Sequence, residues 1–261
     1  MRKYAILLGA GAVFFALVAY AVAAVTPTVS YTSPIKQKGK ATKAKAANLA
    51  YTGILDVKNS DGTQPATAPT TKLFLAKQFK NNAKKFPSCN ASDIDGKTAI
   101  PAKCKAAIVG KGSATAQAGT PGTSSIINEP LTVTAVNGAK GKQLFLVLNA
   151  TSPVAVQNRV ILGTISGGSG QFGSTITFHV PADLQQQLGL QISLTHFNVV
   201  LSSSKTAKVK VHGKTQKVSY LQLTSCPKSK KLPVRASVSF NNDAGQPGGP
   251  TVTSNTTTSC K

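Results

Sequence analysis

Apolar residues in this chain recur mostly at every second position. In Tyr51-Thr-Gly-Ile-Leu-Asp-Val-Lys58, Tyr51, Gly53, Leu55 and Val57 share one phase, the pattern of a strand with one buried face. Asn59-Ser-Asp-Gly62 predicts a turn, and Lys72 to Phe79 a second strand through Leu73 and Leu75. Further strands are predicted over Ala106 to Ala116, Leu131 to Val136, Gln143 to Asn149 and Val154 to Ile165. Leu144-Phe-Leu-Val-Leu148 is apolar in both phases, as for a strand covered on both sides. Asn137-Gly138 is a hairpin signal between two of these strands.

The same period continues to the end of the chain. Ile176, Phe178 and Val180 form one row, with Thr175, Thr177 and His179 opposite. Pro181 to Gly189 predicts a short helical turn, entered at proline and closed at glycine. In Leu190 to Leu201 the inward phase runs Leu190, Ile192, Leu194 and then slips to Phe197, Val199, Leu201. A slip at Thr195-His196 predicts a bulge or a strand that changes sheets. Lys205 to His212 and Thr215 to Leu223 read as a hairpin turned at His212-Gly213-Lys214. Val234, Ala236, Val238 and Phe240 make another inward row, and Thr251 to Thr258 a last strand. About eleven strands with one short helix imply an all-β fold, a β-sandwich of jelly-roll or immunoglobulin-like type. Composition does not break between Asn48 and Lys261, so residues 48–261 read as a single domain. Two smaller sandwiches dividing near Gly119 to Gly122 are the alternative.

The N-terminus departs from this pattern. Met1-Arg2-Lys3 precedes an almost wholly apolar run from Tyr4 to Val25, with Ala21-Val-Ala-Ala24 offering small residues for cleavage. Residues 1–25 therefore read as a secretory signal peptide. The run is also long enough to span a bilayer, so an uncleaved membrane anchor is the alternative. Both readings place the rest of the chain at the cell surface or outside the cell. Residues 26–47 carry Lys36, Lys38, Lys40, Lys43 and Lys45 without an acid, and read as a disordered basic linker able to tether the domain to an anionic surface.

Charge adds to this picture. Lys plus Arg number 30 against 7 Asp plus Glu, giving a net charge of +23. Such a potential attracts polyanions. Nucleic-acid readers lean on arginine and stacking aromatics, whereas Arg159 and Arg235 are the only arginines past the leader and Trp is absent. The expected partner is therefore an anionic cell-wall polymer or a membrane surface, and no nucleic acid is expected.

The four cysteines allow three pairings on paper. Nearest-neighbour pairing, Cys89–Cys104 and Cys226–Cys260, fits best in an oxidising compartment. Metal ligation would want closely spaced cysteine pairs with nearby histidines, and neither occurs. Phe86 to Ala116 is the stretch densest in chemistry, holding Cys89, Cys104, Asp93 and Asp95. Asp93-Ile-Asp95-Gly96 faintly resembles the start of a calcium loop, but Lys97 and Lys103 follow where further oxygen ligands belong. Gly168-Ser-Gly-Gln-Phe-Gly173 has dinucleotide-loop spacing but precedes a strand, so it reads as a hairpin loop. His179, His196 and His212 do not cluster, and only His179 has an acid nearby in sequence, Asp183.

The line Cys104-Lys-Ala-Ala107-Ile-Val109-Gly110-Lys-Gly112-Ser-Ala114, preceded by Phe86-Pro-Ser-Cys89, resembles a pattern in uncharacterised secreted β-rich proteins of soil actinobacteria. Cys226-Pro227, an alternating strand and a last cysteine continue the likeness. It implies export and a disulfide-pinned β architecture, and supplies no activity. The expectation is an exported, non-enzymatic envelope or extracellular protein without cofactor, a binding or structural module for anionic or glycan surfaces. An extracellular carrier with an apolar cavity, and a hydrolase assembled around His179 or His196, are the alternatives.

Overall fold

The structure, a computed structural model, describes residues 25–42, 45–202, 204–211, 214–242 and 244–261. The leader, Lys43 and the His212-Gly213 turn lie outside the described residues. Five strands precede the cysteine loop: β1 (Thr28–Thr32), β2 (Ile35–Lys38), β3 (Ala47–Lys58), β4 (Thr70–Ala76) and β5 (Phe79–Asn81). After a helical turn α1 (Ala102–Lys105) come β6 (Ile108–Gly119), β7 (Ile126–Asn137), β8 (Gln143–Ala150), β9 (Val156–Gly167) and β10 (Phe172–His179). A second turn, α2 (Ala182–Gln185), leads to β11 (Gln186–Gln187), β12 (Leu190–Leu201), β13 (Thr206–Val211) and β14 (Lys214–Ser219). The chain ends with β15 (Leu221–Leu223), β16 (Lys231–Ser239) and β17 (Thr251–Ser259).

The fold is all-β, and every pairing is antiparallel. One sheet runs β17-β16-β4-β10-β9-β8-β7-β6-β12-β3-β15-β5, with β1 and β2 also on β3 and β11 on β12. β13 and β14 form a separate hairpin, as their alternation predicts. The large sheet curls until its ends approach. Tyr31 N donates to Ser254 Oγ at 3.0 Å and Lys261 N to Gln37 Oε1 at 3.1 Å, which brings β1 and β2 to the β17 edge. The facing layers expected of a sandwich thus belong to one sheet, and one apolar core extends from Tyr31 to Cys260.

Residues 26–47, read from sequence as a disordered linker, contain two strands instead. Thr28–Thr32 pairs with Ile54–Lys58, and Ile35–Lys38 with Asn48–Tyr51. Their physical basis is an alternation the lysines obscure: Val29, Tyr31, Ser33, Ile35 and Gln37 turn away from solvent while Ser30, Thr32, Lys36 and Lys38 face it. Tyr31 is 2% exposed, which makes it one of the most buried large side chains. The helix expected over Pro181 to Gly189 is shorter than its pattern suggested. Leu188 and Gly189 both have positive φ, 52° and 79°, and close the β11–β12 turn as a two-residue hairpin requires.

The two apolar phases of β8 meet different partners. Leu144, Leu146 and Leu148 enter the main core, while Phe145 and Val147 pack outside it with Cys89, Ile94, Cys104, Ala107, Val136 and Val160. The loop from Phe86 to Ala107 is therefore a lid on the outer face of β7–β9. The slip in β12 is a bulge against β6, between Leu194 and His196. The run Gly168–Gly173 makes the β9–β10 connection and the first two residues of β10.

Three buried tyrosines make the core sensitive to alkali. The hydroxyls of Tyr31 and Tyr51 hydrogen-bond each other. Burial pushes Tyr51 up to about 12, and raises Tyr31 and Tyr220 as well. A raised folded pKa means the neutral phenol is favoured in the native state. That stability is complete below pH ~10, the ordinary tyrosine value, and is lost as pH rises through the folded values. The phenolate absorbance of these three tyrosines should therefore appear together with loss of the β-sheet circular dichroism signal, above pH ~10. Ionisation of all three in a sheet that is still intact would contradict their burial.

Candidate functional site

The cysteine loop is built as structure. Cys89 pairs with Cys104 and Cys226 with Cys260, with Cα separations of 5.2 and 5.8 Å. Lys103 Nζ lies 2.8 Å from Asp93 Oδ1, and its hydrogen bond holds the Asp93 carboxyl below the usual carboxylate range. Asp95 Oδ1 accepts from Arg159 Nε at 3.1 Å and from Val160 N at 3.0 Å, so it fastens the lid to β9. Cys89, Asp93 and Cys104 place ligand-type atoms within 4.8 Å of one another. The two sulfurs are bonded to each other, however, which leaves no thiolate for a metal.

Beside this lid the sequence brings lysines together that lie far apart along the chain. A 310 turn at Ala83–Lys85 separates two surface recesses. One, about 310 Å³, is lined by Lys45, Lys80, Lys85 and Lys210 with Asn82, Gln216 and Gln222. The other, about 410 Å³, is lined by Lys84, Lys140 and Lys142. Neither lining contains an acid. In the β13–β14 hairpin Lys208 stands directly opposite Lys217, a like-charge pairing that opposes folding unless an anion lies between or above it. Among the described residues the ion pairs are Lys103–Asp93, Arg159–Asp95, Arg159–Asp183 and His196–Asp56. No lysine of the rim takes part in one.

The base under this rim is a network of buried amides. Asn82 Nδ2 donates to Ser219 O at 2.9 Å and to Gln222 Oε1 at 3.0 Å. Asn48 Oδ1 accepts from Ser219 N at 3.0 Å and Gln222 Nε2 at 2.9 Å. These bonds join β3, β14 and β15 beneath the lysine side chains, so the charges are carried on a fixed floor. Of the five lysines proposed from sequence as a tether, Lys45 lines the recess, Lys36 and Lys38 point outward from β2, and Lys40 is exposed beyond it. Lys80, Lys84, Lys85, Lys140, Lys142 and Lys210 were not singled out. A sequence signal exists for Lys80, Lys84 and Lys85 alone, which lie just before Phe86 in a stretch with no acid between Asp61 and Asp93; nothing local marks Lys140, Lys142 or Lys210.

The histidines go elsewhere. His196 Nδ1 lies 2.7 Å from Asp56 Oδ1 and both are well exposed. Strand register sets Thr115 opposite His196 on the other side, so Thr115, His196 and Asp56 form a row on an open sheet face. His179 Nδ1 meets Thr70 Oγ1 at 3.3 Å, while Asp183 binds Arg159. Among the described residues, no histidine lines the two lysine recesses or the three apolar chambers of the interior.

The interior contains three adjoining apolar chambers of about 100, 70 and 40 Å³. They share Leu131, Leu148 and Leu194 at one junction and Leu73, Phe178 and Phe197 at the next. The widest lies at the end of the sheet furthest from the lysine rim, under α2 and the Thr67-Ala68 segment.

No protein-family model, curated protein or solved structure matches this chain.

Proposed function

We propose that the protein is an exported, non-enzymatic module of the cell envelope or extracellular space that holds an anionic polymer or surface on its lysine rim. The observation that carries this reading is the convergence of Lys45, Lys80, Lys85 and Lys210 on one acid-free recess. Two disulfides support an oxidising, extracytoplasmic location. Among the described residues no helix is long and apolar enough to cross a membrane.

The test uses inorganic polyphosphate and purified cell wall as probes. Replacing Lys80, Lys85 and Lys210 together by Gln should weaken binding about tenfold or more at low salt and flatten its salt dependence. Replacing Lys58, Lys72 and Lys111, which lie outside both recesses, removes the same charge and should cost much less. Equal losses in the two triple variants would reduce the rim to a general lysine coat. Binding that does not change with salt would remove the electrostatic reading altogether.

The hollow interior favours a second role, as carrier of a small apolar ligand. Three chambers in series leave unfilled volume that a core selected only for stability would close, because each void forfeits packing energy.

A further inference from the structure

The widest chamber has sixteen lining residues, of which four are polar: Thr67, Thr71, Glu129 and Gln187. Glu129 is 6% exposed and sits in β7 in the same inward phase as Leu131 and Val133. One carboxyl oxygen, Oε2, accepts from Val154 N at 2.8 Å. The other, Oε1, is buried with no hydrogen-bond partner, and so is the hydroxyl of Thr67, which is 2% exposed. Two unsatisfied polar atoms thus line one largely apolar space. A buried acceptor left without a donor costs about 1–3 kcal/mol, so this arrangement opposes stability unless something fills it. A water would need two to four polar partners to be held there, and apart from Thr71 and Gln187 the remaining wall is apolar.

We propose that this chamber binds a short-chain amphiphile whose head group donates hydrogen bonds. This rests on the carrier reading above and specifies its ligand. The head, an amine or a hydroxyl, is received by Glu129 Oε1 and Thr67 Oγ1. The alkyl chain runs past Leu131, Leu148 and Leu194 towards Phe178 and Phe197. A cavity of about 150 Å³ accepts benzene, so the first two chambers together suit roughly six to eight carbon atoms. A carboxylate head is disfavoured, because it would meet the Glu129 carboxyl without a donor between them.

Methyl NMR of the whole protein tests this with 1-octylamine, 1-octanol and octanoate as probes. Saturable shifts at Leu131, Leu148 and Leu194 with the amine or the alcohol, at least about tenfold tighter than octanoate, are expected. Glu129→Leu should abolish that preference, and Glu129→Gln, which keeps an acceptor for Val154 N, should retain binding of octanol. A Glu129→Leu chain that keeps the native circular dichroism spectrum shows that lost preference is not lost fold. If octanoate binds as well as octylamine, or if Glu129→Leu keeps the preference, the head-group assignment is wrong and the carrier reading survives. If none of the three probes moves these methyls, both fail.

Discussion

Gly112→Ala is expected to destabilise the protein by about 3 kcal/mol or more, the upper end of the cost of overpacking. Gly112 lies in β6 between β12 and β7, opposite Val199 on one side and Val133 on the other. A Cβ on it would meet Asn198 O at 1.9 Å, Val199 Cα at 2.7 Å and Asn198 C at 2.8 Å. All three are backbone atoms and cannot rotate away. The β6–β12 ladder would have to part at mid-strand, where it joins two halves of the curled sheet. Gly110 has the same neighbour one residue pair on, with Val200 O at 2.5 Å, so strain at Gly112 cannot be relaxed into it. Gly167→Ala is the matched control: nothing lies within 4 Å of its would-be Cβ, and its effect should stay within ~0.5 kcal/mol. Urea unfolding followed by circular dichroism compares the two. Coincident midpoints would show that the sheet tolerates a side chain at Gly112.

Gly110 and Gly112 were legible in the sequence as positions of close backbone approach because glycine inside an alternating strand has few other uses. The same holds for the double apolar phase of β8, which foretold a covered outer face. The bulge at Thr195-His196 followed from a slip in phase, and the disulfides from spacing. Strand existence is local information, carried by period two. The curl that merges the layers into one sheet is not, because it depends on which edges meet, and β1 and β2 reach β17 only in three dimensions. Residues 26–47 show how one signal masks another. Five lysines without an acid suggested a tether, while Val29, Tyr31 and Ile35 kept the inward phase of a strand.

The site divides in the same way. The lysine rim gathers Lys45, the pair Lys80 and Lys85, and Lys210 from three separate segments, and no spacing rule predicts that convergence. Glu129 is different. It occupies the core phase of β7 two residues before Leu131, and a lone acid in an inward row is a readable anomaly. It was passed over because it has no acidic neighbour in sequence, whereas Asp93 and Asp95 do. Those two lie at the surface in ion pairs. Burial phase was the better guide to unusual chemistry than clustering. The result is a molecule with two acid-free lysine recesses towards one end of its strands and the widest of its apolar chambers towards the other. A surface held by the rim would leave the chamber end free.

Asn137 carries the second large effect, because it locks the lid to the end of β7. It is fully buried. Its Nδ2 donates to Ala83 O at 3.0 Å and Pro87 O at 2.9 Å, and Tyr220 OH donates to its Oδ1 at 3.1 Å. Its backbone adds bonds to Ala107 O and from Cys89 N. Asn137→Ala would leave the buried phenol of Tyr220 without its acceptor, at about 1–3 kcal/mol before relaxation, would remove the side-chain bonds to Ala83 O and Pro87 O, and would open a void at a fully buried position. A net loss of about 3 kcal/mol is expected, with the amides of Phe86 and Cys89 losing hydrogen-exchange protection before β16 does. Asn137→Asp is the sharper probe, since it exchanges one amide nitrogen for oxygen and turns a donor into an acceptor facing two carbonyls. Its carboxyl would be favoured in the protonated, donating form, so its folded pKa is raised. The variant should then be most stable below pH ~4, the ordinary aspartate value, and lose stability as pH rises through the folded value. The native chain has no such dependence at this position. A flat pH profile for Asn137→Asp, or uniform loss of protection across the sheet, would mean that Asn137 fills space there and does not fasten the lid.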